Sequence, residues 1–350
     1  MNNVLVVGTG TIGEPLIGLL ADFRKKLNIG RVIFHKRTPL SDEVAKVESL
    51  IKRGAQLAVN ENLIPAFKEL GHNVGYDFQT ALKMADVVID CTPAGNEHKK
   101  KHYTKYPGKV FIAQGSEKDF GVPYAHGIND NIFDKNPNFI QVVSCNTHNI
   151  ACLINTVTND HGREVKGDFV CIRRSNDISQ EASFVPSPTI SDHKDPIYGT
   201  HHARDAHNLF MTQKRSVNLF SSALKVNSQY MHIIRFDIKL KGEYTHNEIL
   251  NRFRENKFIA LTEKTSTNKV FSFGRDHGYY GRIFNQTVIP VSSLHVRIYG
   301  RETKISGFCF TPQDGNSLLS SVAACMYALH GRGNYKQYMN HFDPYLFREI

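Results

Sequence analysis

The residues best suited to chemistry lie where an apolar run passes into helical spacing. In FIQVVSCNTHNIACLINTV (139–157), Cys145 follows Ser144 and precedes Asn146 and Thr147. A thiol attacks carbon only as thiolate, and a helix N-terminus favours the anion. This placement predicts that a helix opens at Cys145 and that its thiol is a nucleophile. The other common fate of a cysteine, an inert buried thiol, fits Cys152 at an apolar-facing position of the same helix. A nucleophilic thiol needs a base, and the chain offers His148, His201, His202 and His232 after it.

His201 and His202 stand in YGTHHARD, read as a polar loop without apolar periodicity. His232 begins an alternating strand, where a satisfied structural histidine fits equally well. Arg173 and Arg174 end a predicted strand in CIRRSND. Adjacent guanidinium groups suit a phosphate, with a surface ion pair as the plainer alternative.

A second constellation opens the chain. Gly8-Thr9-Gly10-Thr11-Ile12-Gly13 fits G-x-G-x-x-G between a predicted strand and a predicted helix, the context that gives the pattern its meaning. Small residues let the backbone approach a pyrophosphate, and free N–H groups at the helix start point at the anion. Where an NAD-preferring site carries Asp or Glu about 20 residues on, the chain reads Phe34-His35-Lys36-Arg37-Thr38. With no acid there to repel a 2′-phosphate, Lys36 and Arg37 point to NADP ahead of NAD. Nucleotide fold and thiol together suit oxidation of an aldehyde through a thiohemiacetal to a thioester, with a nicotinamide as oxidant.

The elements that must hold these groups follow from periodicity. Apolar runs NVLVV (3–7), RVIFHKR (31–37), ADVVIDCTPAG (85–95), KVFIAQG (109–115) and FIQVVS (139–144) read as strands. Helical candidates cover 41–57, 62–70 and 77–84. Strands alternating with helices predict a doubly wound parallel sheet, a Rossmann domain. After Cys145 the pattern changes. YMHIIRFDIKLK (230–241) alternates cleanly, and further strands are read at 167–173, 270–274, 288–291, 295–299 and 305–310. The second half is α+β around an open mixed or antiparallel sheet, and 317–329 is a final helix.

At 350 residues the chain has room for two domains, and no stretch is apolar enough to span a bilayer. Six scattered cysteines without CxxC spacing suggest neither disulfides nor a metal site. The N-terminus lacks the pattern of a signal peptide, which predicts a cytoplasmic protein. The net charge of +10 is spread along the chain apart from KKKHYTK (99–105). No nucleic-acid-binding motif accompanies it, so an anionic small molecule accounts for the charge better.

The motifs resemble, in order along nearly the whole chain, the archaeal-type (type II) glyceraldehyde-3-phosphate dehydrogenases: GTGTIG, AQGSEK (113–118), VVSCNT (142–147), CIRRSND, THHARD (200–205), YMH (230–232) and FGRDHG (273–278). The resemblance implies a homotetramer. It implies conversion of glyceraldehyde 3-phosphate and inorganic phosphate to 1,3-bisphosphoglycerate, with reduction of the nicotinamide. It implies Cys145 as nucleophile, His202 as the favoured base and His232 as a second candidate. Ser144, Asn146, Thr147, His201 and Arg174 would bind substrate. Gly8, Gly10, Thr11, Ile12, Gly13, Lys36, Arg37, Thr92, Gly115, Arg173 and Gln313 would meet the cofactor. The expected domains are 1–144, completed by the C-terminal helical segment 312–350, and a catalytic domain over 145–311.

The chain departs from that pattern just behind the nucleophile, where His148 and Asn149 replace the Thr-Gly that the family usually carries. Two other readings share the same residues: a sister dehydrogenase for another semialdehyde or acyl phosphate, and an inactive paralogue that binds nucleic acid.

Overall fold

NVLVV forms β1 (Asn3–Val7) with every residue buried, as a strand covered on both faces requires. The computed structural model describes residues 2–115, 117–158, 164–177, 184–312 and 314–350. The chain divides into two units: Met1–Val122 with Ile132–Val142 and Ser320–His341, and Pro123–Asn131 with Val143–Leu319 and Phe342–Ile350.

In the first unit β1 is followed by α1 (Gly13–Asp22), β2 (Arg31–His35), α2 (Val44–Lys52), β3 (Gln56–Val59), α3 (Ile64–Glu69), β4 (Val74–Asp77), α4 (Phe78–Met84), β5 (Val87–Asp90), α5 (Gly95–Lys101) and β6 (Val110–Gln114). β7 (Val122–Tyr124) and β8 (Phe139–Val142) complete a sheet in the order β4-β3-β2-β1-β5-β6-β8-β7. β1 pairs in parallel with β2 and β5, and the pairing continues in parallel outward to β4 and to β8. The order turns at β1, so the glycine loop after β1 lies at the switch point where such sheets take their ligands.

Three readings of this unit need correction. The helix expected over 41–57 stops at Lys52, because Gly54 takes φ +97° and Gln56–Val59 turns into the sheet as β3. The expected helix at 62–70 is shortened to Ile64–Glu69 behind a 3₁₀ turn. The helix expected from residue 77 begins at Phe78, with the Asp77 carboxylate accepting the Thr80 N–H at 3.0 Å as its cap.

The second unit runs α6 (Cys145–Thr158), β9 (Val165–Arg173), β10 (Thr189–Ile190), α7 (His201–Met211), β11 (Asn218–Lys225), β12 (His232–Lys241), α8 (His246–Glu255), β13 (Ile259–Thr262), α9 (Thr267–His277), β14 (Thr287–Pro290), β15 (His295–Tyr299) and β16 (Glu302–Thr311). α10 (Gly315–His330) begins in this unit and continues into the first, to which α11 (Tyr335–Met339) belongs. The sheet order is β10-β11-β9-β12-β16-β14-β13, with β15 on β16. It is mixed: β9 with β11 and β13 with β14 are parallel, while β12 is antiparallel to both neighbours.

β12 keeps the alternation of its sequence. Ile234, Phe236, Ile238 and Leu240 are fully buried, while Arg235 and Asp237 form an ion pair on the other face. The strand expected at 270–274 is instead part of α9. Val270 and Gly274 are one helical turn apart and both buried, and a Cβ on Gly274 would meet the Gly281 carbonyl oxygen at 2.9 Å. The polar loop expected at His201–His202 is the first turn of α7, whose buried face is His202, Ala203, Ala206, Leu209 and Phe210. Among the described residues, no helix is long and apolar enough to cross a membrane.

Candidate active site

The glycine loop is built for close backbone approach. Gly8 takes φ +95°, and a Cβ there would meet Thr92 Cγ2 at 2.8 Å. A Cβ on Gly13 would strike the Gly8 carbonyl oxygen at 2.1 Å, whereas one on Gly10 would meet nothing within 4 Å. Gly13 therefore packs the turn, and Gly10 leaves the cradle open that a pyrophosphate would enter. Thr11 and Ile12 are half-buried at the start of α1. Thr92 is fixed from below: its N–H and hydroxyl both donate to Asp90 Oδ1, at 2.9 and 2.6 Å. Asp90 is fully buried and also receives His98 Nδ1 at 2.7 Å and the Tyr103 hydroxyl at 2.6 Å. These bonds outweigh burial and hold its carboxyl below the ordinary range, while Asp90 pulls His98 up. Gly115, at φ +64°, follows β6, its carbonyl accepting from Gln141 at 3.0 Å. The residues present fit a nicotinamide dinucleotide.

The two cations after β2 differ sharply. Lys36 is buried and paired with Glu43, which also pairs with Lys46. The window after β2 therefore does contain an acid, brought in by the 3₁₀ turn Ser41–Glu43 six residues beyond Arg37. Arg37 is exposed and, among the described residues, has no ion pair.

In the second unit Cys145 opens α6 and Ser144 caps it, the Ser144 hydroxyl accepting the Thr147 N–H at 3.3 Å. Thr147 is fully buried, with its own hydroxyl 2.9 Å from that of Ser144, so it braces Ser144. The thiol is not a resting thiolate. Burial pushes Cys145 up to about 11; Arg174 pulls it down, and Asp314 and Asp177 push it further up. The helix N-terminus, from which a lowered thiol was expected, is outweighed by desolvation. Asp314 is itself buried and raised to about 6, with Arg282 Nε at 3.8 Å from its carboxylate. Two residues on, the Asn316 amide donates to the Cys145 carbonyl at 3.1 Å.

Asn146, beside the nucleophile, reaches His202: its Nδ2 lies 3.4 Å from His202 Nε2. The other ring nitrogen of His202 is 3.1 Å from the Thr200 hydroxyl. Burial first, then the charges of His201, Arg173 and His232, hold His202 neutral at physiological pH. The His201 ring lies against it, tilted by 32°, with ring centroids 3.9 Å apart. His232 is also held neutral by burial and by Arg174 and Arg173, but its Nδ1 accepts the Arg174 backbone N–H at 3.0 Å. Arg174 is buried, pairs with Asp177 and donates to the Tyr230 carbonyl at 3.3 Å, and its Nε has no partner among the described residues. A cavity of about 730 Å³ is lined by Arg173, Thr200, His201, His202, Arg204 and Lys194 among others. Gln313 lies outside the described residues.

The departures behind Cys145 face inward. His148 is fully buried, with Nδ1 3.0 Å from the Ser144 carbonyl oxygen, and burial lowers it to about 4. Asn149 is fully buried and donates to the Thr311 hydroxyl at 2.8 Å. Neither lines the cavity with the histidine pair. Thr311, Ser221 and Asp314 were missed by the sequence reading, because each acts through a partner distant in the chain, and Glu43 because a 3₁₀ turn brings it back to Lys36. Among the described residues, no group of three His, Cys, Asp or Glu side chains could hold a metal ion.

No family model matches the chain. It is 31% identical to the glyceraldehyde-3-phosphate dehydrogenase of Sulfolobus acidocaldarius over 304 residues, 83% of each chain. It is 25% identical to that of Pyrobaculum islandicum over 311 residues, 85% of this chain and 84% of the relative. With glyceraldehyde-3-phosphate dehydrogenase 2 of Methanosarcina barkeri the identity is 26% over 287 residues, 79% of this chain and 78% of the relative.

Proposed function

This chain belongs to the glyceraldehyde-3-phosphate dehydrogenase family, and from that premise we propose that it converts glyceraldehyde 3-phosphate, inorganic phosphate and a nicotinamide cofactor to 1,3-bisphosphoglycerate and the reduced cofactor. The observation that carries the reading is the contact of Asn146, neighbour of Cys145, with a neutral His202.

With its thiol at about 11, Cys145 needs a base at the moment of attack. As sulfur bonds to the aldehyde carbon, His202 Nε2 takes the thiol proton and passes it to the carbonyl oxygen, giving a thiohemiacetal. Nε2 then takes the hydroxyl proton while that carbon is oxidised to a thioester. The nicotinamide, held by Gly8, Gly10, Thr11, Ile12, Gly13, Thr92 and Gly115, supplies the two-electron acceptor when bound. A phosphate oxygen attacks the thioester carbonyl, the carbon–sulfur bond breaks, and Cys145 recovers its proton. Ser144, Asn146, His201 and Arg174 hold the substrate in this reading, Thr147 acts through Ser144, and Arg173 and Gln313 serve the cofactor.

His232 fits a donor role. Its Nδ1 lone pair is committed to the Arg174 N–H, so the neutral ring carries its proton on Nε2. NADP is proposed as the preferred cofactor over NAD, supported by exposed Arg37; Lys36, already neutralised by Glu43, contributes less. A cytoplasmic homotetramer and the domain division 1–144 with 312–350 against 145–311 complete the proposal.

A spectrophotometric panel tests it: glyceraldehyde 3-phosphate, erythrose 4-phosphate and aspartate semialdehyde, each with NAD and NADP, with and without phosphate. Sustained turnover of the first, dependent on phosphate, is expected. Preference for aspartate semialdehyde would transfer the chain to the sister chemistry, and salt-sensitive RNA binding by an inactive protein would identify a paralogue with another task.

A further inference from the structure

Asn149 sits one helical turn after Asn146 on α6, so both side chains leave the helix on the same side. Between them stands Thr311, the last residue of β16. Its hydroxyl accepts from Asn149 Nδ2 at 2.8 Å and donates to Asn146 Oδ1 at 3.2 Å. All three residues are buried.

We propose that Asn149 and Thr311 are positioning residues that orient the Asn146 amide and so hold His202 in the tautomer with its proton on Nδ1 and its lone pair on Nε2. The proposal rests on the reading of His202 as the base.

The direction of the network follows from counting protons. A threonine hydroxyl has a single proton to give. With Asn149 donating to it, that proton goes to Asn146 Oδ1, which turns the Asn146 NH₂ group towards His202 Nε2. Nε2 must then accept, and the proton of the neutral ring sits on Nδ1, facing the Thr200 hydroxyl at 3.1 Å. Thr200 hands on to Ser221 Oγ at 2.7 Å, which is pinned by the Ala203 N–H at 3.1 Å. At the other end the Cys309 thiol donates to Asn149 Oδ1 at 3.3 Å, which fixes the amide of Asn149. The charged and titratable groups bearing on His202 come from three elements: His201 on α7, Arg173 on β9 and His232 on β12. None of them donates to Nε2 among the described contacts. Among the described contacts the Asn146 amide is the donor at Nε2, and the Thr200 hydroxyl faces Nδ1.

The test uses the full-length enzyme with variants Thr311→Val, Thr311→Ser, Asn149→Ala and His202→Ala, each checked for an intact melting transition. Thr311→Val is expected to lower kcat by about 10- to 100-fold, as small misplacements of a catalytic group do. KM for the aldehyde should stay within about twofold, since the cavity is untouched. The acidic limb of the kcat/KM profile should move to higher pH, because a freed Asn146 amide can present oxygen to Nε2 and favour its protonation. Asn149→Ala should move the same two quantities in the same direction by less, and it carries the test if Thr311→Val does not fold. Thr311→Ser, which keeps the hydroxyl, should restore most of kcat. Normal kcat and pH profile in Thr311→Val and Asn149→Ala beside an inactive His202→Ala would overturn this proposal and leave the base in place. Equal loss in Thr311→Ser and Thr311→Val would also overturn it, reducing Thr311 to packing. A His202→Ala enzyme with undiminished kcat would remove the base reading, and the proposal with it.

Discussion

The backbone N–H of Arg174 donates to Nδ1 of His232 at 3.0 Å, and that contact separates the two candidate bases. A neutral imidazole has a single lone pair; that of His232 is held by a backbone N–H at 3.0 Å, whereas that of His202 meets a side-chain amide at 3.4 Å, the longer and weaker contact. His202 faces an amide NH₂ on one side and a hydroxyl on the other.

The consequence is kinetic. His202→Ala should lower kcat by about 10²- to 10⁴-fold, the range for loss of a general base, while His232→Ala should raise KM for the aldehyde more than it lowers kcat. Steady-state kinetics of both variants decide it, and the reverse order would move the base to His232.

Alkylation reads the nucleophile directly. A thiol held at about 11 reacts with iodoacetamide at a rate that climbs roughly tenfold per pH unit through the neutral range, without a plateau below about pH 10. The Asp314 carboxylate pushes the thiol up, so Asp314→Asn should lower its pKa and speed alkylation at pH 8 by at least about twofold. The experiment is best run with Cys91→Ala, since Cys91 is the other cysteine that is not fully buried. A wild-type rate already flat at pH 8 would mean that the thiol is activated at rest.

Cofactor choice falls on Arg37. Arg37→Ala should raise KM for NADP by about tenfold, with little change for NAD, because a solvent-facing phosphate contact is lost. Lys36→Ala should act less selectively, since Lys36 is paired with Glu43. Equal effects of Arg37→Ala on both cofactors would refute the NADP assignment.

Two of the loop glycines should also separate. Gly10→Ala places a methyl in open space, so the melting temperature should hold while KM for the cofactor rises by about tenfold or more. Gly13→Ala drives a methyl into the Gly8 carbonyl and should destabilise the protein itself. A Gly10→Ala enzyme with normal cofactor KM would mean that the cradle is not used as described.

Much of this was legible in one sequence. The alternation of β12 named its buried face residue by residue, and the glycine loop lay between the strand and helix expected of it. Failures came where local pattern and long-range packing disagree. Residues 270–274 have strand-like composition, yet Val270 and Gly274 are buried together on one helix face, and packing overrode propensity. The sequence showed His148 and Asn149 as departures beside the nucleophile. Their burial moves their effect to the support of the helix and of His202. Thr311 lies 165 positions from Asn146, and no local spacing announces such a pair.

The central claim is that Cys145 carries the substrate as a thioester that only phosphate releases. Rapid mixing of enzyme, glyceraldehyde 3-phosphate and NADP without phosphate, followed by absorbance and intact-protein mass, tests it most directly. The account predicts a stoichiometric burst of reduced cofactor and an acyl adduct on Cys145, with turnover resuming when phosphate is added and no burst in Cys145→Ser. A burst in Cys145→Ser, or phosphate-independent turnover without an adduct, would contradict it.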